Sequence, residues 1–285
     1  MSRKTTFIFL FIIGVNCYGQ DGFIEGEPAL AYWKIGDKKE VVIALHGGPA
    51  ATHQYLRPEF DGLSKAAQVI YYDQRGCGKS QQATGYHWKE HVKDLDRVIN
   101  RFAKDKKVFL AGSSWGTFLA MLYTYTYPEK VKGLILSGTV SWEGKGLDSI
   151  TIGRYTVPHA VKTYKYTMPE YRLASGIKKE TGLTQVILPI QKEIEIYSGP
   201  PSGETRHSLQ SAPVLDSLRK IMQPVLLFNG NDPDCRIDRA HLYATIFPNA
   251  ELYTIPAACH DPWFSDPEKF ADRCAVFIRK VRKMK

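Results

Sequence analysis

The chain has 285 residues, of which 44% are hydrophobic, 12% are aromatic and 24% are charged. This composition is ordinary for a folded protein with a full apolar core, and it excludes an intrinsically disordered or fibrous chain. The formal net charge is +9 at pH 7, but basic residues are dense only near the C-terminus and no nucleic-acid-binding motif accompanies them. We therefore interpret the charge as a basic solvated surface and expect no nucleic-acid partner.

The first 19 residues differ in kind from the rest of the chain. A basic start precedes an apolar run from Phe7 to Val15, and small residues follow at positions 17 and 19. This pattern is typical of a secretory signal peptide, and the run is too short to span a bilayer. We predict cleavage after Gly19, export to the periplasm or the medium, and no integral membrane span in the mature chain. Lipid attachment at Cys17 is the alternative, disfavoured because an asparagine precedes that cysteine.

Beyond the signal peptide, short β-branched and aromatic runs alternate with amphipathic stretches, which is typical of a mostly parallel sheet covered by helices. Strands are predicted over 41–45, 69–72, 108–111, 133–137, 224–228 and 250–255. Helices are predicted over 88–102, from about 118 to Pro128, and from Pro267 with Asp266 as its N-cap. Residues 139–222 are richer in tyrosine, proline and charge and show no clear strand. We predict an α/β core over 20–138 and 223–285, interrupted by a helical cap over 139–222.

A Gly-x-Ser-x-Gly pentamer, Gly112-Ser113-Ser114-Trp115-Gly116, lies between a predicted strand and a predicted helix. By itself this spacing is only a moderate signal, but in this context it predicts a nucleophile elbow that exposes Ser114. The start of the following helix leaves the backbone N–H of Trp115 free to stabilise an oxyanion.

A serine hydroxyl needs a base to act as a nucleophile, and with such an elbow the acid and then the histidine follow the serine along the chain. Of the eight histidines, only His260 lies in a loop after the last predicted strand. The loop after strand 224–228 supplies the acid. Asp232 is the favoured residue and Asp234 is the alternative. The acid would orient the imidazole and stabilise the imidazolium without taking the proton itself.

The predicted strand 41–45 ends in a glycine-rich turn, His46-Gly47-Gly48-Pro49. The turn lies at the carboxyl edge of the sheet, where such sheets bind their ligands. We predict the Gly48 N–H as the second oxyanion donor, with Gly47 as its alternative and as a substrate contact. His46 is expected to support the loop.

Four strings together resemble the α/β-hydrolase superfamily, and most closely its prolyl iminopeptidase branch. They are HGGPA at 46–50, DQRGCGKS at 73–80, GSSWGT at 112–117 and ACHDPWFSDPEKF at 258–270. The resemblance covers nearly all of 40–138 and 223–285, and DQRGCGKS is its most discriminating part. It implies a serine exopeptidase that removes an N-terminal residue, proline in the type members, without a metal or organic cofactor. The family's catalytic positions fall on Ser114, Asp232 and His260.

The resemblance also implies that the cap sets substrate choice, with carboxylates that bind the free α-ammonium of a peptide. The sequence does not single out which acid does this, and the candidates are Glu143, Asp148, Glu170, Glu180, Glu193, Glu195, Glu204 and Asp216. Of these we name Glu204, in a Gly-Pro-Pro-Ser-Gly-Glu turn, as a substrate contact. A small-molecule esterase, lactonase or amidase on the same machinery remains the alternative, because a fold does not fix a function. A silent binding protein is disfavoured, because serine, base, acid and oxyanion loop are all present. No oligomeric state is predicted.

The cysteines indicate no zinc site, because they lack paired Cys-x-x-Cys spacing. We expect most of them to be buried as small apolar residues. Since the resemblance brings the loops of Cys235 and Cys259 to one edge of the sheet, a disulfide between these two is a further hypothesis.

Overall fold

A computed structural model describes residues 19–140, 163–167, 193–231, 239–258 and 260–284. Its centre is an eight-stranded sheet with the order β1-β2-β4-β3-β5-β6-β9-β10, and β7 and β8 form a separate two-stranded sheet. The strands are β1 (Gly22–Ile24), β2 (Leu30–Ile35), β3 (Val41–Leu45), β4 (Gln68–Tyr72), β5 (Val108–Ser113), β6 (Val131–Ser137), β7 (Thr163–Thr167), β8 (Glu193–Tyr197), β9 (Val225–Gly230) and β10 (Ala250–Ile255).

Helices connect the strands and follow the last of them. The α-helices are α1 (Trp88–Ala103), α2 (Trp115–Thr126), α3 (Pro200–Ser208), α4 (Ala240–Ile246), α5 (Pro262–Ser265) and α6 (Pro267–Arg282). Shorter 3₁₀ segments cover His53–Leu56, Glu59–Lys65, Pro128–Lys130, Leu209–Ser211 and Leu215–Lys220. The side chain of Asp266 caps α6 by accepting from the Lys269 N–H at 3.1 Å, which confirms the predicted start of this helix.

The sheet is parallel from β4 through β3, β5, β6 and β9 to β10, and β1 and β2 add an antiparallel edge. Side chains of β3 alternate between two apolar clusters: Ile43 packs on the side of α1 and α2, and Val42 and Ala44 pack on the side of α6. Because both faces are covered, the central strands read as continuous apolar runs. The predicted α/β fold with its six strands is confirmed, while β1 and β2 were not predicted.

The cap lies within one connection of the sheet, because β6 and β9 are neighbouring parallel strands with Leu134 opposite Val225. Its described part contains β7, β8 and α3. The expectation that this segment holds no strand is therefore wrong. Both strands show a period-two alternation, TYKYT and EIEIY, which indicates a strand. The boundaries of the cap, 139 and 222, stay a prediction.

The first turn of α2 lies directly against the backbone of the sheet. A β-carbon on Gly116 would clash with the carbonyl oxygen of Leu45, and one on Gly112 would clash with the backbone of Gly116. Both positions therefore need glycine for close approach of helix to strand, as the elbow motif predicts.

A buried hydrogen-bonded layer joins the loops that follow β3 and β4. The His46 ring lies between two backbone groups, with Nδ1 3.0 Å from the Gly47 carbonyl and Nε2 3.0 Å from the Gln74 N–H. These partners require a proton on Nδ1 and a lone pair on Nε2, so the ring is neutral. Burial lowers the pKa of His46 from 6.5 to about 4. His46 thus supports this loop, as expected, and it does so as one specific neutral tautomer.

This neutral histidine predicts a loss of stability in mild acid. His46 takes up a proton near pH 6.5 in the unfolded chain and only near pH 4 in the folded chain. The contribution of the neutral ring to the free energy of unfolding is therefore complete above pH 6.5 and is lost as the pH falls towards 4. The pKa difference corresponds to a loss of about 3 kcal/mol. Urea unfolding at a series of pH values tests this. Between pH 6.5 and about 5, the His46→Gln variant should take up about one proton fewer on unfolding than the wild type does.

The exposed His241 gives the matched control, since His241→Gln leaves the buried His46 ring in place and should not reproduce the effect of His46→Gln. If the free energy of unfolding changes with pH equally steeply in the wild type and in His46→Gln over this range, the assignment of a buried neutral ring is contradicted.

Candidate active site

The backbone at Ser114 has the geometry of a strained strand-to-helix turn. Its φ is +53° and its ψ is −121°, a region that residues other than glycine rarely adopt. Ser114 is also the one partly exposed residue between 108 and 124, where all others are buried. The fold therefore presents this side chain, and not that of Ser113, at the surface of the carboxyl edge.

The glycine-rich loop after β3 packs against this elbow. A β-carbon on Gly47 would lie only 3.1 Å from the Ser114 β-carbon and 3.2 Å from the Ser113 carbonyl oxygen. Gly48, with φ of +118°, is the one partly exposed residue between 40 and 53. The predicted oxyanion residue and the predicted nucleophile are therefore brought together, and both reach solvent.

The two predicted oxyanion donors have no hydrogen-bond acceptor within the described ranges. Neither the Gly48 N–H nor the Trp115 N–H donates a hydrogen bond to another described residue. In contrast, the neighbouring Gly47 carbonyl accepts from the Ala51 N–H at 3.3 Å and lies 3.0 Å from His46 Nδ1. The loop thus satisfies its carbonyl group while leaving an N–H available.

Gln74 joins the elbow to the glycine-rich loop through both ends of its side-chain amide. Its Oε1 accepts from the Trp115 indole N–H at 2.7 Å, and its Nε2 donates to the His46 carbonyl at 3.0 Å. The sequence singled out DQRGCGKS only as a family signature, and the structure supplies the physical reason for its glutamine. The preceding Asp73 is buried and accepts from the N–H groups of His53 at 2.8 Å and Lys79 at 2.9 Å.

His260 is buried beside the end of β6. Gly138, with φ of +63°, leaves room for it, because a β-carbon there would clash with the His260 carbonyl and lie 3.4 Å from its ring Cε1. The preceding residue, Ser137, accepts a hydrogen bond from the Ser114 N–H at 3.2 Å. Consecutive residues of β6 and its loop therefore contact the elbow and the histidine.

The His260 ring is not fully hydrogen-bonded in the described part of the chain. Its Nδ1 is buried and has no partner there, and no hydrogen bond joins the ring to the Ser114 hydroxyl. Catalytic hydrogen bonds are often long without substrate. A buried unpaired ring nitrogen needs an explanation, and the predicted acid is the group that would face it.

The two candidate acids, Asp232 and Asp234, lie outside the described residues, as do Cys235 and Cys259. The residue before them is described: Asn231 Oδ1 accepts from the Ala257 N–H at 2.8 Å. This bond ties the start of the acid loop to the loop of His260, three residues before the histidine. The structure therefore brings the two loops together without choosing between the acids.

A second buried cluster, which the sequence did not reveal, anchors the histidine loop to the back of the elbow. The Tyr55 hydroxyl donates to Asp261 Oδ1 at 2.5 Å and lies 3.2 Å from Ser113 Oγ. The Trp263 indole N–H donates to the same Ser113 oxygen at 3.0 Å. The hydroxyl of Ser113, the residue before the predicted nucleophile, thus links the elbow to the residues that follow His260. No local pattern indicates Tyr55 as a partner, because it lies 58 residues from Ser113 along the chain.

The described part of the cap contacts the glycine-rich loop and Ala50, the residue that follows it. The Tyr197 N–H donates to the Ala50 carbonyl at 2.7 Å, and Arg206 Nη2 donates to the Gly48 carbonyl at 2.7 Å. Glu204, the predicted amine-binding residue, lies instead at a cavity of about 400 Å³ lined by His87, Glu204, His207, Ser208, Gln210 and Ser211. Glu204 makes no described contact with Ser114 or His260, and its role stays a prediction.

Two features are absent from the described ranges. No group of three or more His, Cys, Asp or Glu side chains there could hold a metal ion, and no helix there is long and apolar enough to cross a membrane. Cys77 and Cys274 are buried free thiols, as expected for these two, and burial raises the pKa of each.

Comparison with known proteins agrees with this architecture. The family model described as the alpha/beta hydrolase fold matches residues 40–188, more than half of the chain. A proline iminopeptidase of Thermoplasma volcanium is 26% identical over 289 residues, covering 92% of this chain and 97% of that protein. A proline iminopeptidase of Lactobacillus delbrueckii subsp. lactis is 28% identical, covering 81% of this chain and 87% of that protein.

Among solved structures, a thermophilic esterase from Thermogutta terrifontis aligns with a TM-score of 0.63 at 20% identity, covering 89% of this chain and 94% of that one. At this identity the likeness shows the fold alone. Sheet topology, elbow and family match together lead to one conclusion: the chain belongs to the α/β-hydrolase fold family and is a hydrolase similar to proline iminopeptidases.

Proposed function

We propose that the protein is a serine hydrolase that works by acyl transfer, with Ser114 as nucleophile, His260 as base and Asp232 as the orienting acid. The observation that carries this proposal is the strained, exposed backbone position of Ser114 against the glycine-rich loop. Strain of this kind persists only where the surrounding structure enforces it, and it concentrates at functional sites.

In the proposed reaction, His260 takes the proton from Ser114 Oγ as that oxygen attacks the substrate carbonyl carbon. The carbonyl oxygen becomes negatively charged, and the unengaged N–H groups of Gly48 and Trp115 donate to it. His260 then gives its proton to the leaving group, which departs. Water, activated by the same histidine, hydrolyses the acyl-enzyme and restores Ser114.

For the substrate we propose peptides with a free N-terminus, with N-terminal proline first. Support comes from the relatives, which are proline iminopeptidases aligned over more than four fifths of this chain. A charged α-ammonium entering a partly desolvated site needs an acidic partner. Glu204 is our candidate for it, and Gly47 is our candidate for a further substrate contact.

A substrate panel tests this proposal. Prolyl and alanyl amides of a fluorogenic amine should be cleaved, their N-acetylated forms should not, and prolyl amides should have the highest kcat/KM. Ser114→Ala should lower kcat by about 10⁴-fold or more. Ser113→Ala is the matched comparison and should lower kcat far less than Ser114→Ala, because it removes a buried positioning contact with Tyr55 and Trp263 and leaves the nucleophile in place.

Cleavage of short acyl esters alone, unaffected by blocking the substrate amine, would instead establish an esterase or lactonase on the same machinery. Full activity of Ser114→Ala would contradict the nucleophile assignment itself.

The choice of acid is open to a paired test. We expect Asp232→Asn to lower kcat by about 10⁴-fold, because the histidine would then be held in the wrong tautomer. Asp234→Asn should stay close to wild type in kcat and in KM. The reverse pattern, measured on the same amide substrate, would transfer the role to Asp234.

We also propose that residues 1–19 are removed on export, with lipid attachment at Cys17 as the less favoured alternative, and we keep the disulfide between Cys235 and Cys259 as a hypothesis. Intact mass and N-terminal sequencing of protein from the native host test these points. A mature chain that begins before residue 20, or two alkylatable thiols at 235 and 259 without reduction, would contradict the respective proposal.

A further inference from the structure

The helix α3 of the cap is fixed to the core by buried hydrogen bonds. The Thr205 hydroxyl lies 3.0 Å from the Tyr86 carbonyl and 3.0 Å from His91 Nε2, and it shares its proton with the Pro201 carbonyl of α3 at 2.7 Å. Ser208 Oγ accepts from the N–H of Trp88, the first residue of α1, at 2.9 Å. All these groups belong to buried residues. The position of α3 relative to the core is therefore determined by satisfied polar contacts, which rigidify a buried interface.

This anchorage places Arg206, the residue after Thr205, at the glycine-rich loop. Its Nη2 donates to the Gly48 carbonyl at 2.7 Å, and its Nε lies 3.4 Å from Ser202 Oγ. In the part of the chain that the structure describes, no carboxylate forms an ion pair with Arg206. No described acid therefore neutralises this guanidinium. It contacts Gly48, and the preceding residue, Gly47, packs on Ser114.

The contact matters because of what it does to Gly48. Glycine has more backbone freedom than any other residue, and Gly48 has a φ of +118°. The carbonyl before its N–H, that of Gly47, is held by the Ala51 N–H and the His46 ring. The carbonyl after it is held by Arg206. Both backbone carbonyl groups that flank the Gly48 N–H are therefore fixed, and the second of them is fixed by the cap.

We propose that Arg206 is a positioning residue for the oxyanion hole. By holding the Gly48 carbonyl it fixes the peptide unit that follows the one carrying the Gly48 N–H, and so keeps the glycine-rich loop in the conformation that presents this N–H before substrate arrives. Its positive charge also favours the negative charge that develops on the substrate oxygen. Preorganised donors and charges of this kind act on the transition state more than on the ground state. The inference rests on the proposed role of Gly48 as an oxyanion donor.

The test uses the full chain and the best substrate of the panel described above. Arg206→Ala should lower kcat by about 10- to 100-fold, less than the loss of a direct oxyanion donor, and should leave KM within about threefold. Added guanidinium should recover a measurable part of the lost kcat, whereas sodium at equal ionic strength should not. Arg219→Ala is the control, because it removes an exposed arginine from the same connection between β6 and β9. Neither guanidinium nor sodium should raise the kcat of this variant.

A wild-type kcat, a loss carried by KM alone, or a loss that guanidinium does not recover would overturn the proposal. If Arg206→Ala does not fold, as judged by circular dichroism, Arg206→Lys carries the test, since a point charge without the planar fork should give a smaller loss of kcat at unchanged KM. The two proposals fail separately: an active Ser114→Ala refutes the serine mechanism, whereas an inactive Ser114→Ala with a fully active Arg206→Ala refutes only the role of Arg206.

Discussion

The close contact between the start of α2 and the end of β3 is the constraint on which the rest of the site depends. Only glycine fits at Gly116, because any β-carbon would meet the carbonyl of Leu45. With the helix held this near the sheet, the chain must turn sharply between β5 and α2, and Ser114 takes the φ of +53° that results. The exposure of one serine within a buried segment is the direct consequence of this packing.

Around that turn, two buried polar links and one partly buried link hold the surrounding loops in position. Gln74 joins Trp115 to the loop of His46, Tyr55 and Trp263 join Ser113 to the loop of His260, and Arg206 joins the cap to Gly48. None of these side chains reacts in the proposed mechanism. Their common effect is to fix backbone groups around Ser114, and preorganisation of this kind is often the largest contribution to catalysis.

Much of this arrangement follows from local sequence patterns. The core strands, the helix 88–103 and the Asp266 cap have short-range signals in apolar periodicity and capping residues, and the elbow has a fixed spacing. The strands TYKYT and EIEIY carried the same kind of signal, yet a segment rich in tyrosine, proline and charge obscured it. The partners of Gln74, Ser113 and Arg206 could not be predicted, because they lie 28 to 158 residues away along the chain and only the fold brings them together.

The most direct test of the central claim is the site of covalent labelling by a fluorophosphonate, a reagent that reacts with activated serines and needs no knowledge of the substrate. Digestion and mass spectrometry of the labelled protein locate the adduct within the peptide that contains both Ser113 and Ser114. A stoichiometric adduct on Ser114, abolished in His260→Ala, is the predicted result. No labelling of folded protein, or an adduct on Ser113, would contradict the account.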